Sequence, residues 1–468
     1  MPRARTTRLP QLRAARHAVQ PRRALLAVAV WIVAGCPVDG SQNPFSPRDI
    51  VGIRLAVGPG HALLAQAPKS LVGWGGSQYG ALGVPPSDEP MLPPATLVDV
   101  GDPVISVAAG TNHTCAVFDD GGVKCWGLNE FGQLGLGDTE NRGDDPGEMG
   151  EALPTVDLGT DERAVAVSLG NSFSCALLES NAVKCWGFNE DGELGQGDVE
   201  ARGDELGEMG DALPAIDLGT TRRILELDVG FEHACVLLED GKVKCWGNSS
   251  TQTYTLGSSG ASNIGDAPGQ MGAALPEVNL GSDAFVETFS AGAYHTCVVL
   301  DDGHVKCWGQ GSYTEPCPPD TCTYPRPRYN GGRLGYGDLE HRGPDPSMGD
   351  ALAFVDVGAG VRVIAIEAGA LHTCALLDTG NLKCWGVGNW NTLGNGGSGD
   401  IGDEPGEMGE ALPLVDLGAG RIVSAYASSL RANCALLDDD GVKCWGSTAY
   451  PNEQGDSLPY IDLPGLEE

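Results

Sequence analysis

Seven Trp-Gly pairs divide this chain into copies of one unit. The tryptophans are Trp74, Trp126, Trp186, Trp246, Trp308, Trp385 and Trp445, at spacings of 52, 60, 60, 62, 77 and 60 residues. A fixed period in this range is typical of proteins in which one supersecondary unit is copied and stacked. The sequence after residue 50 therefore constrains the fold far more than the function.

Each copy has the composition of four short strands. The second copy runs VISVAAG, TNHTCAVF, VKCWG, a glycine-rich segment, an acidic loop and LPTVDL. Segments rich in Val, Ala, Leu and aromatic residues are separated by Gly, Asp, Asn or Pro, as in strands bounded by turns. No later stretch carries a sustained apolar helical period. We therefore predict an all-β fold, a seven-bladed β-propeller of four-stranded blades.

A recurring closing segment supports a complete ring. It reads TLVDV (96–100), LPTVDL (153–158), LPAIDL (213–218), LPEVNL (275–280), LAFVDV (352–357), LPLVDL (412–417) and LPYIDL (458–463). Seven closing segments match seven Trp-Gly pairs, so residues 51–468 are predicted to form one propeller. An open superhelix is the alternative, but it would require terminal capping repeats, and none is visible in the sequence.

Twelve of the fifteen cysteines form pairs ten residues apart. The pairs are Cys115 with Cys125, Cys175 with Cys185, Cys235 with Cys245, Cys297 with Cys307, Cys374 with Cys384 and Cys434 with Cys444. A three-residue hairpin loop between the members of each pair places them directly opposite one another, and its third residue is usually left-handed. The third residues are Gly121, Asn181, Gly241, Gly303, Gly380 and Asp440, all of types that tolerate positive φ. We predict six cross-strand disulfides at positions where side chains approach closely.

The remaining cysteines do not suggest a metal site. No CxxC pair occurs, and two opposed cysteines supply too few ligands for structural zinc. In the first copy Leu63 and Gly73 take the cysteine positions. Cys317 and Cys322, inside an insertion, are predicted to form a seventh disulfide, which leaves Cys36 alone.

The N-terminal 35 residues have the pattern of an export signal. Seven arginines and no acid occupy residues 1–23, and a ten-residue apolar run follows before Val33-Ala34-Gly35-Cys36. This run is too short to span a bilayer. The ending resembles a bacterial lipobox, which predicts lipidation of Cys36, with residues 36–50 as a tether; cleavage that leaves a free thiol is the alternative. Many paired cysteines also require an oxidising compartment. We therefore expect a location in the bacterial cell envelope or on the cell surface, with the lipid as the only membrane attachment.

The charge of the chain excludes nucleic acid as a partner. Formal net charge is −34, and removal of the first 35 residues would leave 22 basic against 63 acidic residues. Nucleic-acid binding needs clustered Lys and Arg, which the sequence after the leader lacks. Copies two to six share a loop of the form GDxPGEMGxALP or a relative, which predicts an acidic arc on one face. It could serve solubility alone, bind a cationic partner or hold calcium loosely, although no ordered calcium-loop spacing is present.

Two polar residue types recur at fixed repeat positions. Six lysines precede a cysteine, at Lys124, Lys184, Lys244, Lys306, Lys383 and Lys443, and five histidines share another position, at His61, His113, His233, His295 and His372. Repetition around a ring favours structure over catalysis. We expect each lysine stem to pack and its ammonium to pair with a carboxylate, and we expect the histidines to serve in packing or hydrogen bonding at strand ends.

Copy five contains an insertion with the chemistry of a recognition loop. Trp308 and Leu334 are separated by 26 residues, whereas Trp126 and Leu134 are separated by 8. Aromatic and arginine residues of the kinds enriched at interface hot spots are concentrated there: Tyr313, Tyr324, Arg326, Arg328 and Tyr329. Prolines and the expected Cys317–Cys322 bridge would preorganise the loop. A tolerated surface insertion is the alternative.

The repeat unit G-x-x-H-x-C-A-L…G-x-V-K-C-W-G-x-N-x-x-G-x-L-G-x-G-D resembles the regulator-of-chromosome-condensation repeat. The resemblance covers residues 51 to about 463. It implies a seven-bladed propeller; family members include nucleotide-exchange factors for a small GTPase and secreted bacterial inhibitors of β-lactamases. The cysteine before tryptophan in six copies suggests an exported, disulfide-stapled branch. Shared fold does not fix function, and no functional residue can be carried over, because the contacts of the known members lie in loops that do not align with this sequence.

No catalytic motif occurs in a sequence context that supports catalysis. Neither G-x-S-x-G nor H-E-x-x-H nor a Walker loop occurs, and GQLGLG at 132–137 opens no helix. We therefore expect a non-catalytic protein-binding or scaffold propeller that is a monomer without a cofactor. The alternatives are a propeller enzyme acting on an envelope or extracellular substrate, or a regulator that resembles a guanine-nucleotide exchange factor.

Overall fold

The computed structural model describes residues 55–66, 70–85, 95–250, 253–258, 262–313, 330–343, 346–429, 432–446 and 454–464. The strands are β1 (Leu55–Val57), β2 (His61–Gln66), β3 (Ser70–Gly75), β4 (Thr96–Val98), β5 (Val104–Ala109), β6 (His113–Phe118), β7 (Val123–Gly127), β8 (Ala164–Leu169), β9 (Phe173–Leu178), β10 (Val183–Gly187), β11 (Ile224–Val229), β12 (His233–Leu238), β13 (Val243–Gly247), β14 (Val286–Ala291), β15 (His295–Leu300), β16 (Val305–Gly309), β17 (Ser312–Tyr313), β18 (Asn330–Gly331), β19 (Val363–Ala368), β20 (His372–Leu377), β21 (Leu382–Gly386), β22 (Val423–Ser428), β23 (Ala432–Leu437) and β24 (Val442–Gly446). One-turn 3₁₀ helices are at Gln78–Gly80, Gly150–Ala152, Gly210–Ala212, Gly272–Ala274, Gly349–Ala351, Asn389–Asn391, Gly409–Ala411 and Gly455–Ser457.

Seven antiparallel sheets form the blades of a closed ring, as the sequence predicts. Blade 1 contains β1–β4, and each later blade begins with β5, β8, β11, β14, β19 or β22. These first strands contact one another from blade to blade, including β22 with β1, so they surround a central channel. Blade 7 also shares an apolar cluster with blade 1, in which Ala432 and Val442 pack with Leu55 and Val72. The ring is therefore closed, with its last blade packed against its first.

The hairpins between second and third strands have the predicted register. In blade 2, Phe118 N–H donates to Gly122 C=O, which leaves a three-residue loop. Its third residue, Gly121, has φ of +80°, and Asn181 and Asp440 have φ of +67° and +61° at the equivalent positions. The left-handed third residue is confirmed in all six hairpins. We use "hairpin face" for the end of the propeller where these loops lie.

Six disulfides cross these hairpins, one in each of blades 2 to 7, with the pairing that the cysteine spacing predicts. Each joins directly opposed positions on the second and third strands, with a Cα–Cα distance of 4.1 Å. This short separation belongs to a non-hydrogen-bonded pair, where the side chains come closest. The bonded cysteines are Cys115 and Cys125, Cys175 and Cys185, Cys235 and Cys245, Cys297 and Cys307, Cys374 and Cys384, and Cys434 and Cys444.

Blade 1 fills the cysteine positions in another way. Leu63 pairs with Gly73 across the hairpin, as expected from the sequence. The Leu82 side chain occupies the space above Gly73, where a Cβ atom would clash with it. Apolar packing therefore takes the place of the disulfide in this blade.

The fourth strand of most blades is reduced compared with the prediction. Blade 1 has a full edge strand, β4, whereas the other blade sheets have three strands in the described residues. Their closing segment attaches to the third strand through a recurring bond; in blade 2, Val156 N–H donates to Val123 C=O. Proline at 154, 214, 276, 413 and 459 contributes to this difference, because proline cannot donate to a ladder.

The repeated tryptophans lie in the boundaries between blades. All seven are almost completely buried. Trp186 packs with apolar residues of blades 2 and 3, and its indole N–H donates to the carbonyl of Gln133 in blade 2. Trp246, Trp308, Trp385 and Trp445 each make the equivalent bond to the preceding blade. The Trp-Gly repeat therefore marks the residue that joins neighbouring blades.

Candidate functional site

The first strands place one residue per blade at a common level of the channel. In blades 2 to 7 this residue is paired with the first cysteine of the hairpin; for example, Asp228 pairs with Cys235 and Glu367 with Cys374. The residues at this level are Ala56 in blade 1, paired with Leu63, and Ala108, Ser168, Asp228, Ser290, Glu367 and Ala427 in blades 2 to 7. The channel is therefore polar along blades 3 to 6 and lined with alanine at blades 1, 2 and 7.

Asp228 joins three blades through hydrogen bonds. Its Oδ1 accepts from Ser168 Oγ of blade 3 at 3.0 Å, and its Oδ2 accepts from Ala291 N–H of blade 5 at 2.8 Å. Ser168 Oγ and Ser290 Oγ likewise accept from the first strand of the next blade. Asp228 thus has a structural role as well as a negative charge in the channel.

Two glutamates complete a group that we term the channel carboxylates: Glu226, Asp228 and Glu367. Burial, with the nearby Asp228 carboxylate, raises the pKa of Glu226 to about 8. Burial raises the pKa of Asp228, and burial together with the other two carboxylates raises the pKa of Glu367 well above its ordinary value. Glu226 accepts a hydrogen bond from Thr288 Oγ1 at 3.1 Å. Carboxyl groups with raised pKa values that face a channel identify a candidate functional site.

Aromatic side chains lie beyond one end of this group. Phe231 follows β11 and Tyr294 follows β14, with ring centroids 5.8 Å apart. Aromatic rings and carboxylates both attract cations. The arrangement can therefore receive a cationic group, which would also lower the pKa of the carboxylates.

The channel carboxylates were not among the site residues predicted from the sequence. A sequence signal for them exists, since ILELDV and VIAIEA carry acids at positions where VISVAA and VSAYAS carry small residues. Only comparison of the copies at one strand position distinguishes these acids from the general acidity of the chain.

The prediction for the repeated lysines is correct on burial and wrong on the partner. Each ammonium donates to backbone carbonyls rather than primarily to a carboxylate. Lys244 Nζ lies 2.8 Å from Leu218 O and 2.9 Å from Leu275 O, and Lys124, Lys184, Lys306, Lys383 and Lys443 make equivalent pairs of bonds. The reason is geometric: one carbonyl comes from the closing segment of the preceding blade, and the second comes from the glycine of the next 3₁₀ turn or, for Lys244, from Leu275 just after that turn. Asp102, 3.6 Å from Lys124, supplements those bonds.

The repeated histidines make hydrogen bonds between blades. Each Nε2 lies within 3.0 Å of a side-chain oxygen in the following blade; the pairs are His61–Thr114, His113–Ser174, His233–Thr296, His295–Thr373 and His372–Asn433. Burial lowers the pKa of His61, His233 and His372 to about 4. These rings are therefore neutral structural groups.

Some carboxylates of the acidic arc form hydrogen bonds or ion pairs within their own loops. Glu148 Oε2 accepts from the N–H groups of Gly143 and Asp145, and Gln270 makes the same pair of bonds in blade 4. An uncharged glutamine can therefore accept the same two backbone hydrogen bonds as the glutamate. Asp138, Asp198 and Asp338 pair with arginines four residues later.

Several predicted sites fall outside the described residues. Cys36, Cys317, Cys322, Tyr324, Arg326, Arg328 and Tyr329 are among these. Of the candidate loop, the structure gives the base: Ser312 pairs with Gly331 and Tyr313 with Asn330. Within the described ranges, no three His, Cys, Asp or Glu residues are grouped to hold a metal ion, and no helix there has the length and apolarity to cross a membrane.

Comparison with known proteins identifies the repeat. Models of the regulator of chromosome condensation (RCC1) repeat match residues 71–117, 104–133, 120–177, 164–193, 224–251, 286–314 and 363–394. The ultraviolet-B receptor UVR8 of Arabidopsis thaliana is 29% identical over 279 residues, 58% of this chain and 57% of UVR8. The chain thus spans a little over half of that relative.

Solved propellers have the same fold. Human WBSCR16 superposes with a TM-score of 0.57 at 18% identity, over 84% of this chain and 86% of that one. Saccharomyces cerevisiae Prp20p, whose structure was described with its binding to Gsp1p and histones, superposes at 0.57 and 17% identity, over 82% and 83%. The repeat models show that the chain carries RCC1 repeats, and the solved structures show that it shares the propeller fold.

Proposed function

We propose that this protein is an exported, lipid-anchored RCC1 propeller that binds a protein partner in the bacterial cell envelope and has no catalytic activity of its own. The observation that carries the export proposal is the set of six buried cross-strand disulfides. Disulfides in this number persist in oxidising compartments and are rare in the cytosol. The basic and apolar leader before Cys36 is consistent with this location.

Lipidation is tested through Cys36. The wild-type protein should enter the detergent phase of cell extracts, and Cys36→Ala should remain in the aqueous phase. Residues 37–54 separate Cys36 from the first propeller strand in the sequence, so the substitution is expected to leave the folded ring unaffected. Equal partitioning of the two proteins would contradict the anchor.

The channel carboxylates favour a partner with a cationic group. Glu226, Asp228 and Glu367 come from blades 4 and 6, and burial raises the pKa of all three. A lysine or arginine side chain entering beside Phe231 and Tyr294 would stabilise the ionised carboxylates and gain cation–π contact. The channel therefore offers a recognition site that requires no bond making.

The channel is tested by neutralising Glu226 and Glu367, while Asp228, whose two hydrogen bonds join three blades, is left unchanged. Glu226→Gln with Glu367→Gln should weaken binding of a lysine-rich peptide at least about tenfold. Glu130→Gln with Glu190→Gln is the matched control, because both carboxylates are exposed and lie outside the channel. Equal effects of the two pairs would mean that net charge alone attracts the peptide.

The insertion in blade 5 is proposed as a second recognition element. Since Ser312 and Gly331 are already paired, residues 314–329 can be replaced by a short glycine linker at little cost to the fold. The replacement should leave thermal unfolding nearly unchanged and abolish capture of the envelope partner. Undiminished capture would reject the role of the loop.

Two other activities are distinguished by direct assay. An exchange-factor-like regulator would accelerate nucleotide release from a small GTPase, and the fold shared with Prp20p is the reason to test it. A propeller enzyme would turn over an envelope substrate. Either result would replace the proposed binding function.

A further inference from the structure

Two equivalent grooves lie on the hairpin face of blades 5 and 6. The groove of blade 5 has a volume of about 320 Å³ and lies between the loop at Asp302–His304 and the closing segment Phe354–Val361. The groove of blade 6 has a volume of about 250 Å³ and lies between Gly380–Leu382 and Leu414–Gly418, with Arg421 and Val423 completing its lining. In both blades the groove lies between the hairpin loop and the closing segment, so adjacent blades present a groove at the same place in the repeat.

Large apolar side chains stand exposed at these grooves. Phe354 is 50% exposed, Leu414 46% and Ile422 50%. The His304 ring packs against Phe354 with centroids 4.6 Å apart, while Ile422 lies over Gly380. Exposed apolar residues grouped around a concavity are a mark of interaction surfaces.

The repeat does not itself require these residues. The closing-segment position of Phe354 and Leu414 is occupied by Thr155, Ala215 and Glu277 in blades 2 to 4. In blade 4, Arg222 forms ion pairs with both Glu277 and Asp240. In blade 4 a charged contact therefore links the closing segment to the hairpin. At the same position, blades 5 and 6 have exposed apolar side chains instead.

The surroundings of the two grooves are negatively charged. Carboxylates lie on their loops and closing segments at Asp301, Asp302, Asp356, Asp378 and Asp416. The nearby arginines are already paired, Arg362 with Glu287 at 2.8 Å and Arg421 with Asp438 and Asp439. Charge complementarity thus calls for basic residues on the occupant. A second copy of this chain, with its large negative charge, does not meet that requirement.

We propose that the grooves of blades 5 and 6 bind one extended segment of a partner protein that carries two large apolar side chains and adjacent lysine or arginine residues. One apolar side chain enters each groove, and the basic residues pair with the carboxylates on the rims. This surface is separate from the channel and does not depend on a partner binding there.

The test uses three short synthetic peptides that alternate lysine with leucine, lysine with serine, or glutamate with leucine. Binding to the full disulfide-bonded protein is followed by fluorescence anisotropy at low and moderate salt. The lysine–leucine peptide should bind at least about tenfold more tightly than either of the others, because only it supplies both apolar side chains and positive charge. Equal binding of the lysine–serine peptide would overturn the proposal, and so would no binding of the lysine–leucine peptide.

The site is located with matched variants. Phe354→Ser combined with Leu414→Ser and Ile422→Ser should weaken binding of the lysine–leucine peptide about tenfold or more. Val199→Ser with Leu206→Ser removes apolar residues that are 49% and 91% exposed on blade 3, and it should have no effect. If the triple variant does not fold, Leu414→Lys gives the same test through charge. Equal losses in the blade 3 control, or unchanged binding by the groove variants, would overturn the proposal. Glu226→Gln with Glu367→Gln should leave the difference in affinity between the lysine–leucine and lysine–serine peptides unchanged, because that difference comes from the leucine side chains in the grooves and not from the channel.

Discussion

Nε2 of His295 lies 2.7 Å from Oγ1 of Thr373, across the boundary between blades 5 and 6. The Thr373 hydroxyl donates its own hydrogen to Arg333 C=O. The imidazole must therefore donate through Nε2–H, which defines a neutral tautomer. Each blade boundary that contains such a pair is joined by a short polar chain inside an apolar interface.

The boundaries without histidine lack the partner as well. In blade 3 the histidine position is Phe173, and the residue it meets in blade 4 is Ala234. In blade 7 the position is Ala432, which packs with Ala62 of blade 1. Histidine thus occurs only where the next blade supplies an oxygen, because a buried ring N–H without a partner is costly.

This pairing predicts a compensating substitution. Thr373→Ala alone should destabilise the protein by about 2 kcal/mol, since it leaves the His295 N–H buried without its partner. His295→Phe together with Thr373→Ala should recover part of that loss by reproducing the Phe173–Ala234 pair. Chemical unfolding of the wild type, both single variants and the double variant checks the coupling. Additive effects would contradict it.

The buried histidines also predict loss of stability in acid. Burial holds the pKa of His61, His233 and His372 at about 4, below the ordinary value of 6.5. Between these values each of these histidines binds more protons in the unfolded chain, so its contribution to stability falls as the pH drops from about 6.5 towards 4, opposite in sign to the contribution of the buried carboxyl groups. Melting temperatures of the wild type and of a variant without one histidine, compared across this range, isolate that contribution. His372→Phe with Asn433→Ala should show a shallower fall, and an unchanged slope would exclude His372 as a contributor.

The fold could be predicted from the sequence because several independent features of the repeat indicate the same strand register in each blade. The third loop residue, the cysteine spacing and the closing segments all agreed on one arrangement of the blades. The lysine partners could not be read in this way, because Leu218 O and Leu275 O belong to backbone that only the folded ring brings together. The channel carboxylates depend on neighbouring strands in the same manner: the separation of Asp228 and Glu367 along the chain says nothing about their shared channel.

The buried lysines are predicted to stabilise the closing segments. Lys244→Met keeps much of the apolar stem but leaves Leu218 O and Leu275 O without their donor, which should cost about 2 kcal/mol. Lys242→Met on the same hairpin is the control, because Lys242 is only partly buried and makes one longer bond, 3.3 Å, to Ala284 O. Urea unfolding compares them. A larger loss for Lys242→Met would show that charge rather than carbonyl bonding matters.

Each hairpin disulfide is predicted to add stability to its blade. Cys235→Ala with Cys245→Ala should lower the free energy of unfolding by about 2–3 kcal/mol, since the bridge limits the unfolded chain across a ten-residue separation. Denaturation of this variant with and without reductant gives the combined value for the five other hairpin bridges and the predicted Cys317–Cys322 bridge. Cys36→Ala should leave the unfolding curve unchanged. No difference between the hairpin variant and wild type under oxidising conditions would contradict the prediction.

Glu193 is predicted to lower stability as the pH rises from acid towards mild alkali. Its side chain is fully buried and its Oε2 accepts from Asp191 N–H at 2.9 Å; burial raises its pKa to about 8. In blade 2 the neutral Gln133 takes the equivalent position, and its Oε1 accepts from Phe131 N–H at 2.8 Å. Because the folded pKa is above the unfolded value, the protonated group favours folding at low pH, and stability should decrease as the pH rises from about 4.5 to 8.

The Gln133 position provides a reciprocal test of this assignment. Glu193→Gln should be more stable than the wild type at pH 8, by up to about 4 kcal/mol, and the difference should vanish near pH 4. Gln133→Glu should show the opposite behaviour, with a new loss of stability as the pH rises. Thermal unfolding at a series of pH values between 4 and 9 measures both. If Glu193→Gln is no more stable than wild type at pH 8, Glu193 is ionised in the folded protein and its negative charge has a partner.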